Sequence, residues 1–109
     1  VARIYRVVVR GQFADLDAHV RAALIDEAAE HDIFRSAFIA DGSFTYDERL
    51  VAFNLRYEVR EPDDTPPGDT DRVAAETMER GSAWLTSVNI PHKHLRAAAT
   101  DQSTLWQQP

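Results

Sequence analysis

Cysteine is absent from this 109-residue chain. That absence removes structural disulfides, thiolate catalysis, Cys-ligated zinc and iron–sulfur clusters together. Lysine is nearly absent as well: Lys93 stands alone, and arginine supplies the rest of the 12 basic residues. With the wealth of Ala, this bias reads as genomic G+C pressure and points to no function. No apolar run approaches the ~18 residues of a membrane span, and Val1 to Arg10 alternate like a strand where a signal peptide would carry an apolar core. The expectation is a cytoplasmic protein with no membrane partner. Positive charge is the minority sign, since 18 Asp and Glu leave a net charge of −6. Without a basic run the chain is a poor match for a phosphate backbone, and no nucleic-acid partner is expected. No Gly-rich loop follows a strand, and Ser36, Ser43, Ser82 and Ser87 lie in no nucleophile-elbow context, so P-loop NTPases and triad hydrolases drop out.

What is present is enough for one core. Hydrophobic residues make up 44% of the chain, and the organisation reads as a single domain over residues 1–101 followed by a tail, 102–109, with Leu105 and Trp106 as candidate anchors. A chain this short gains only modest stability from burial unless a partner subunit covers more surface, so a homodimer is expected.

Residues 3–10 place Tyr5, Val7 and Val9 on one face of a strand and Ile4, Arg6, Val8 and Arg10 on the other. Gly11 to Asp15 reads as a turn, with Asp15 as N-cap of a helix to about Glu30 whose inner face is Leu16, Val20, Leu24 and Ala28. Ile33 to Ile39 reads as a second strand, Asp41-Gly42 as a hairpin turn, and Phe44 to Tyr46 as the start of the return strand. An interruption at Asp47 to Arg49 reads as a bulge or a second turn, after which the strand resumes with Val51, Phe53, Leu55, Tyr57 and Val59 on one face and Ala52, Asn54, Arg56 and Glu58 on the other. An acidic, Pro-rich connection over 60–69 leads to a helix beginning near Asp69 or Thr70 and stopped by Asn89-Ile90-Pro91. Its inner face is Val73, Ala74, Thr77, Met78, Gly81, Trp84, Leu85 and Val88, and Leu95 to Thr100 forms a last short strand.

The order βαββαβ points to a ferredoxin-like α+β plait, a four-stranded antiparallel sheet with both helices on one face. The opposite face is where function must be sought. Arg6, Arg10, Asn54, Arg56 and Glu58 project from it, joined by one parity of the last strand, either Arg96, Ala98 and Thr100 or Leu95, Ala97, Ala99 and Asp101. If a partner sheet closes over this face, as in a dimeric α+β barrel, the arginines line a cavity suited to a carboxylate, enolate or phosphate; otherwise they form an ordinary solvated face. Arg6 and Arg56 fall on neighbouring strands, and their repulsion needs relief from Glu58 or an anion.

The remaining candidates are single residues. His92 and His94 form an H-x-H pair, but they follow Pro91 in what reads as a loop and no third ligand has diagnostic spacing, so no metal is assigned. His31 ends the first helix, where a cap and a proton carrier are both compatible with its position. Tyr46, beside Asp47, is a candidate proton donor and equally an edge aromatic over the core. RNA-binding modules share the plait but need exposed aromatics on the central strands, whereas Phe53 and Tyr57 here share the core parity.

The string Arg6-Val-Val-Val-Arg-Gly-Gln-Phe13, with Arg21-Ala-Ala-Leu24, Glu30-His-Asp32, the stretch from Ala37-Phe38 to Thr45-Tyr46, and Leu95-Arg96 through Ala99-Thr100-Asp101, resembles a family of short actinobacterial proteins known as a domain of unknown function. That resemblance implies a single-domain build and no mechanism. In architecture alone the chain is similar to dimeric α+β barrel proteins, among them cofactor-free antibiotic-biosynthesis monooxygenases, aromatic polyketide cyclases and muconolactone-type isomerases, an analogy of fold and not of site. Two functions follow as expectations. In the first, a homodimer binds an anionic or polyphenolic metabolite and cyclises, isomerises or oxidises it without a cofactor. Arg6, Arg10, Arg56 and Arg96 hold negative charge there, Asn54 orients the ligand, and Tyr46 or His31 moves a proton. In the second, the same face is a non-catalytic interaction or regulatory surface.

Overall fold

Tyr5, Val7 and Val9 are fully buried, and the strand that carries them organises everything else. The computed structural model describes residues 3–32, 37–62 and 69–102. Strand β1 (Arg3–Phe13) lies at the centre of a four-stranded antiparallel sheet, between β3 (Ala52–Glu61) and β4 (His92–Asp101), and β2 (Ser43–Tyr46) pairs with the outer edge of β3. The strand order is therefore β2-β3-β1-β4. Helix α1 (Ala18–Glu27), continued by a 3₁₀ turn (Ala28–His31), leads from β1 towards β2, and α2 (Thr70–Ser87) leads from β3 to β4. This α+β arrangement is compatible with the ferredoxin-like plait.

Both helices pack on one face of the sheet. Leu24 and Ala28 from the first connection and Val73 and Leu85 from α2 join Val7, Val9, Phe44, Tyr46, Phe53, Leu55 and Tyr57 in a single core. Removing each large side chain from water contributes roughly 1.5–3 kcal/mol. Alternation in β1 and β3 produces this layer directly, because every second side chain meets the helices. Gly81 is a close-packing point on α2: an added Cβ would stand 3.0 Å from Leu55 Cδ1.

Several boundaries differ from the sequence reading. The first strand does not stop at Arg10; it runs to Phe13, whose amide donates to the Val51 carbonyl at 3.0 Å. The helix cap is Asp17, not Asp15, and its side chain accepts from the Val20 amide at 2.8 Å. The strand expected at Ile33–Ile39 is not a sheet strand where it is described: Ile39 makes only an isolated bridge to Tyr57, while residues 33–36 lie outside the described residues. Of the two readings of Asp47 to Arg49, the turn holds: it joins β2 to β3. It is tied by the Leu50 amide to the Asp47 carbonyl and by the Arg49 amide to the Asp47 carboxylate. Asp41-Gly42 accordingly lies in a turn leading into β2, with the Gly42 amide donating to the Ile39 carbonyl. Val51 was expected in the core, but it precedes β3 and is 60% exposed. Residues 63–68 of the Pro-rich connection and 103–109 of the tail lie outside the described residues.

β4 also begins earlier than expected, at His92, and it contains a bulge. Arg10 pairs with Arg96 but Gln12 pairs with Lys93, so one extra residue is accommodated on β4 opposite Gly11. His94, at φ 56°, absorbs it.

Candidate functional site

The register settles which parity of β4 faces away from the helices. Arg10 stands directly opposite Arg96 on one side and Asn54 on the other, while Arg6 faces Thr100 and Glu58. Arg6, Arg10, Asn54, Arg56 and Arg96 therefore share the open face, as the strand alternation requires, and Leu95, Ala97 and Ala99 pack towards the core.

These five residues fall into two groups. Arg6 and Arg56 sit diagonally on β1 and β3, and both guanidinium groups lie over the Phe38 ring, at 5.2 Å and 5.5 Å from its centroid. A cation over an aromatic face is attracted by the ring quadrupole, so Phe38 relieves the repulsion between these two arginines. Glu58, the cross-strand neighbour of Arg6, is engaged by Arg60 at 3.2 Å.

The second group has no such relief. Arg10 and Arg96 are paired across the strands, and among the described residues neither meets a carboxylate. Like charges directly opposite each other destabilise a sheet. Between them and β3 lies a depression of about 140 Å³, lined by Arg10, Gly11, Gln12, Ala52, Phe53, Asn54, His94 and Arg96. Guanidinium, carboxamide and imidazole groups converge there, a donor-rich set that suits an anion. On the far side of Asn54 a wider depression, about 290 Å³, carries Thr45 together with the acidic Asp32 and Asp47.

Tyr46 also borders that wider depression, but its hydroxyl and His31 lie on the other side of the sheet. Tyr46 is on the helix face, 6% exposed, and its hydroxyl donates to the Leu24 carbonyl at 2.6 Å. Burial first, and then the charges of Glu27 and Glu30, push its pKa up to about 12. His31 stacks on the Tyr46 ring with centroids 5.1 Å apart, and its Nδ1 donates to the Phe44 carbonyl at 2.9 Å. The structure thus brings Tyr46 and His31 to each other, while the sheet separates both from the arginines.

Phe38 and His94 belong to the face but were not among the sequence candidates for it. Phe38 carried no signal, because its placement depends on a non-local approach to β1 and β3. His94 was visible in the H-x-H pair, which reads as a loop until the bulge places it in β4. That bulge also parts the pair: His94 borders Arg10 and Arg96, whereas His92 bonds the Ile90 carbonyl beside the C-terminal end of α2. Among the described residues no cluster of three or more His, Asp or Glu is arranged to hold a metal ion, and no helix is long and apolar enough to cross a membrane.

Over residues 1–108 the chain matches the model of a family of unknown function, DUF6204, and it belongs to that family. No curated protein and no solved structure matches it.

Proposed function

We propose that this member of DUF6204 binds a small anionic metabolite on the open face of its sheet. Arg10 and Arg96 hold the negative group, and Asn54 and His94 orient it. The observation that carries this reading is the Arg10–Arg96 pair, two like charges in direct register with no acid beside them among the described residues. A sheet gains nothing from that arrangement unless an anion completes it. The ligand's remainder lies past Asn54 towards Thr45, Asp32 and Asp47, whose acceptors suit hydroxyl or amino substituents. A second copy of the chain closing over this face would exclude water and strengthen each charged contact, which is why a homodimer belongs to the proposal. Guanidinium groups so placed serve a developing enolate as well as a carboxylate, so a cofactor-free isomerisation or cyclisation is the reaction class they fit. His94 is then the one imidazole on the face available to move a proton.

The test combines native mass spectrometry with titration of aromatic and aliphatic carboxylates followed by NMR. A dimer that retains a discrete extra mass, and carboxylate shifts centred on Arg10, Asn54 and Arg96, is the expected result. Arg10→Ala and Arg96→Ala should each weaken binding by about tenfold to a hundredfold, the worth of a charged hydrogen bond, without loss of the fold. A bare monomer that no anion perturbs would overturn the proposal. A ligand-free dimer that dissociates as salt rises would support the other reading, in which the arginines meet acidic groups of a partner subunit.

A further inference from the structure

The spacing of α2 marks Trp84 and Val88, one turn apart, for the same inner face as Gly81 and Leu85. Gly81 and Leu85 are indeed buried, but Trp84 is 38% and Val88 42% exposed. They stay open because α1 is only ten residues long and barely touches α2, so among the described residues no second helix closes over this end of the layer. The gap between the two helices is a groove of about 390 Å³, within the range of small-molecule sites. Val20 and Leu24 form one wall, Trp84 and Val88 the other, and Phe44 the floor. The Phe44 and Trp84 rings meet edge to face with centroids 5.2 Å apart.

The polar groups of this groove are few. They belong to His19, Glu27 and His31, and no Lys or Arg lines it among the described residues. A carboxylate only accepts hydrogen bonds. The His31 Nδ1–H is committed to the Phe44 carbonyl. The Phe44 and Trp84 rings make the floor and one wall aromatic. Burial, and then the negative charges of Glu27 and Glu30, raise the pKa of the Tyr46 hydroxyl on the ring that His31 stacks against.

We propose that the groove between α1 and α2 is a second binding site, for a small aromatic or alicyclic ammonium ion. The apolar skeleton lies between Leu24, Phe44, Trp84 and Val88, and the ammonium supplies the donors that the Glu27 carboxylate lacks. The site is opposite in chemistry to the arginine face on the other side of the sheet, where the protein supplies the donors and the ligand the charge. It rests on different residues and is independent of the proposal above.

The probe is 2-phenylethylammonium, with 3-phenylpropionate as the anion of similar shape. Binding is read from Trp84 emission in a Trp106→Phe background and from amide shifts of α1 and α2. Saturable binding of the ammonium ion is expected, with little or none of the carboxylate. Glu27→Gln, at an exposed position, should weaken it by about fivefold, the effect of one partly solvated charge. Val88→Arg should abolish it by placing a cation in the groove from an exposed site, whereas Arg10→Ala should leave it unchanged. Equal affinity for the two probes, indifference to Glu27→Gln, or no saturable response at millimolar concentrations would each overturn the assignment.

Discussion

An added Cβ at Gly11 would stand 2.7 Å from Leu95 Cδ2 and 2.7 Å from Phe53 Cζ. Phe53 is 2% exposed and surrounded by Phe13, Phe44 and the rest of the core, so it has little room to yield. Gly11→Ala is therefore expected to lower stability by about 1–3 kcal/mol through overpacking, measured by chemical denaturation. An unchanged midpoint would mean that the bulge on β4 can absorb a methyl group. In sequence Gly11 looks like a turn, because glycine most often marks one; its packing role depends on two residues more than forty positions away. Arg10, its neighbour, was legible as an outward-facing charge. That it faces Arg96 was not, since a bulge several residues long in its consequences cannot be counted from alternation alone.

At the scale of the element, α1 shows how a correct helix acquires the wrong start. Asp15 and Asp17 are both good caps by residue type. The chain cannot begin a helix at Asp15, because the Ala14 amide is still bonded to the Pro91 carbonyl at 3.0 Å and Asp15 takes φ 22° to leave the sheet. Asp17 is thus the first residue free to cap, and it does so through Val20. Asp17→Ala should cost about 1 kcal/mol and hasten hydrogen exchange of the first-turn amides, while Asp15→Ala should leave that exchange unaltered. Equal effects at the two positions would contradict the assignment of the cap. β2 makes a similar point: Phe44, Thr45 and Tyr46 read as strand from the sequence, which leaves open whether Asp47 to Arg49 is a bulge or the turn to the hairpin partner. Two turn signals flank it, and only pairing of Phe44 with Leu55 and Tyr46 with Phe53 decides between them.

At the scale of the whole molecule, all three tyrosines, Tyr5, Tyr46 and Tyr57, belong to one core. Burial is the main cause that raises the pKa of each above 10.0; at Tyr57 the nearby Arg80 opposes it, and at Tyr46 the value reaches about 12. A folded-state pKa raised above the unfolded one means that the neutral phenol stabilises the fold. This contribution is complete below about pH 10 and is lost as pH climbs through the folded values. The expected phenolate absorbance is therefore flat until the chain unfolds in alkali, when the three tyrosines ionise together. Tyr46→Phe should make that transition less steep in pH. A tyrosine titrating near its ordinary value while the circular dichroism remains native would contradict the burial described here.

Local periodicity by itself determined the α+β class of this protein, its two helices, the strands β1, β3 and β4, and the outward direction of Arg6, Arg10, Asn54 and Arg56. Those properties follow from side-chain alternation and helical spacing within single segments, where hydrophobic contrast is strong. Only the tertiary structure decided that Arg96 joins Arg10, that Phe38 shields Arg6 and Arg56, that Tyr46 and His31 lie behind the sheet, and that Trp84 and Val88 border an open groove. Each of these depends on register, on a bulge or on the length of a helix relative to its neighbour. Such quantities are set by contacts between residues far apart in the chain, and no local pattern encodes them.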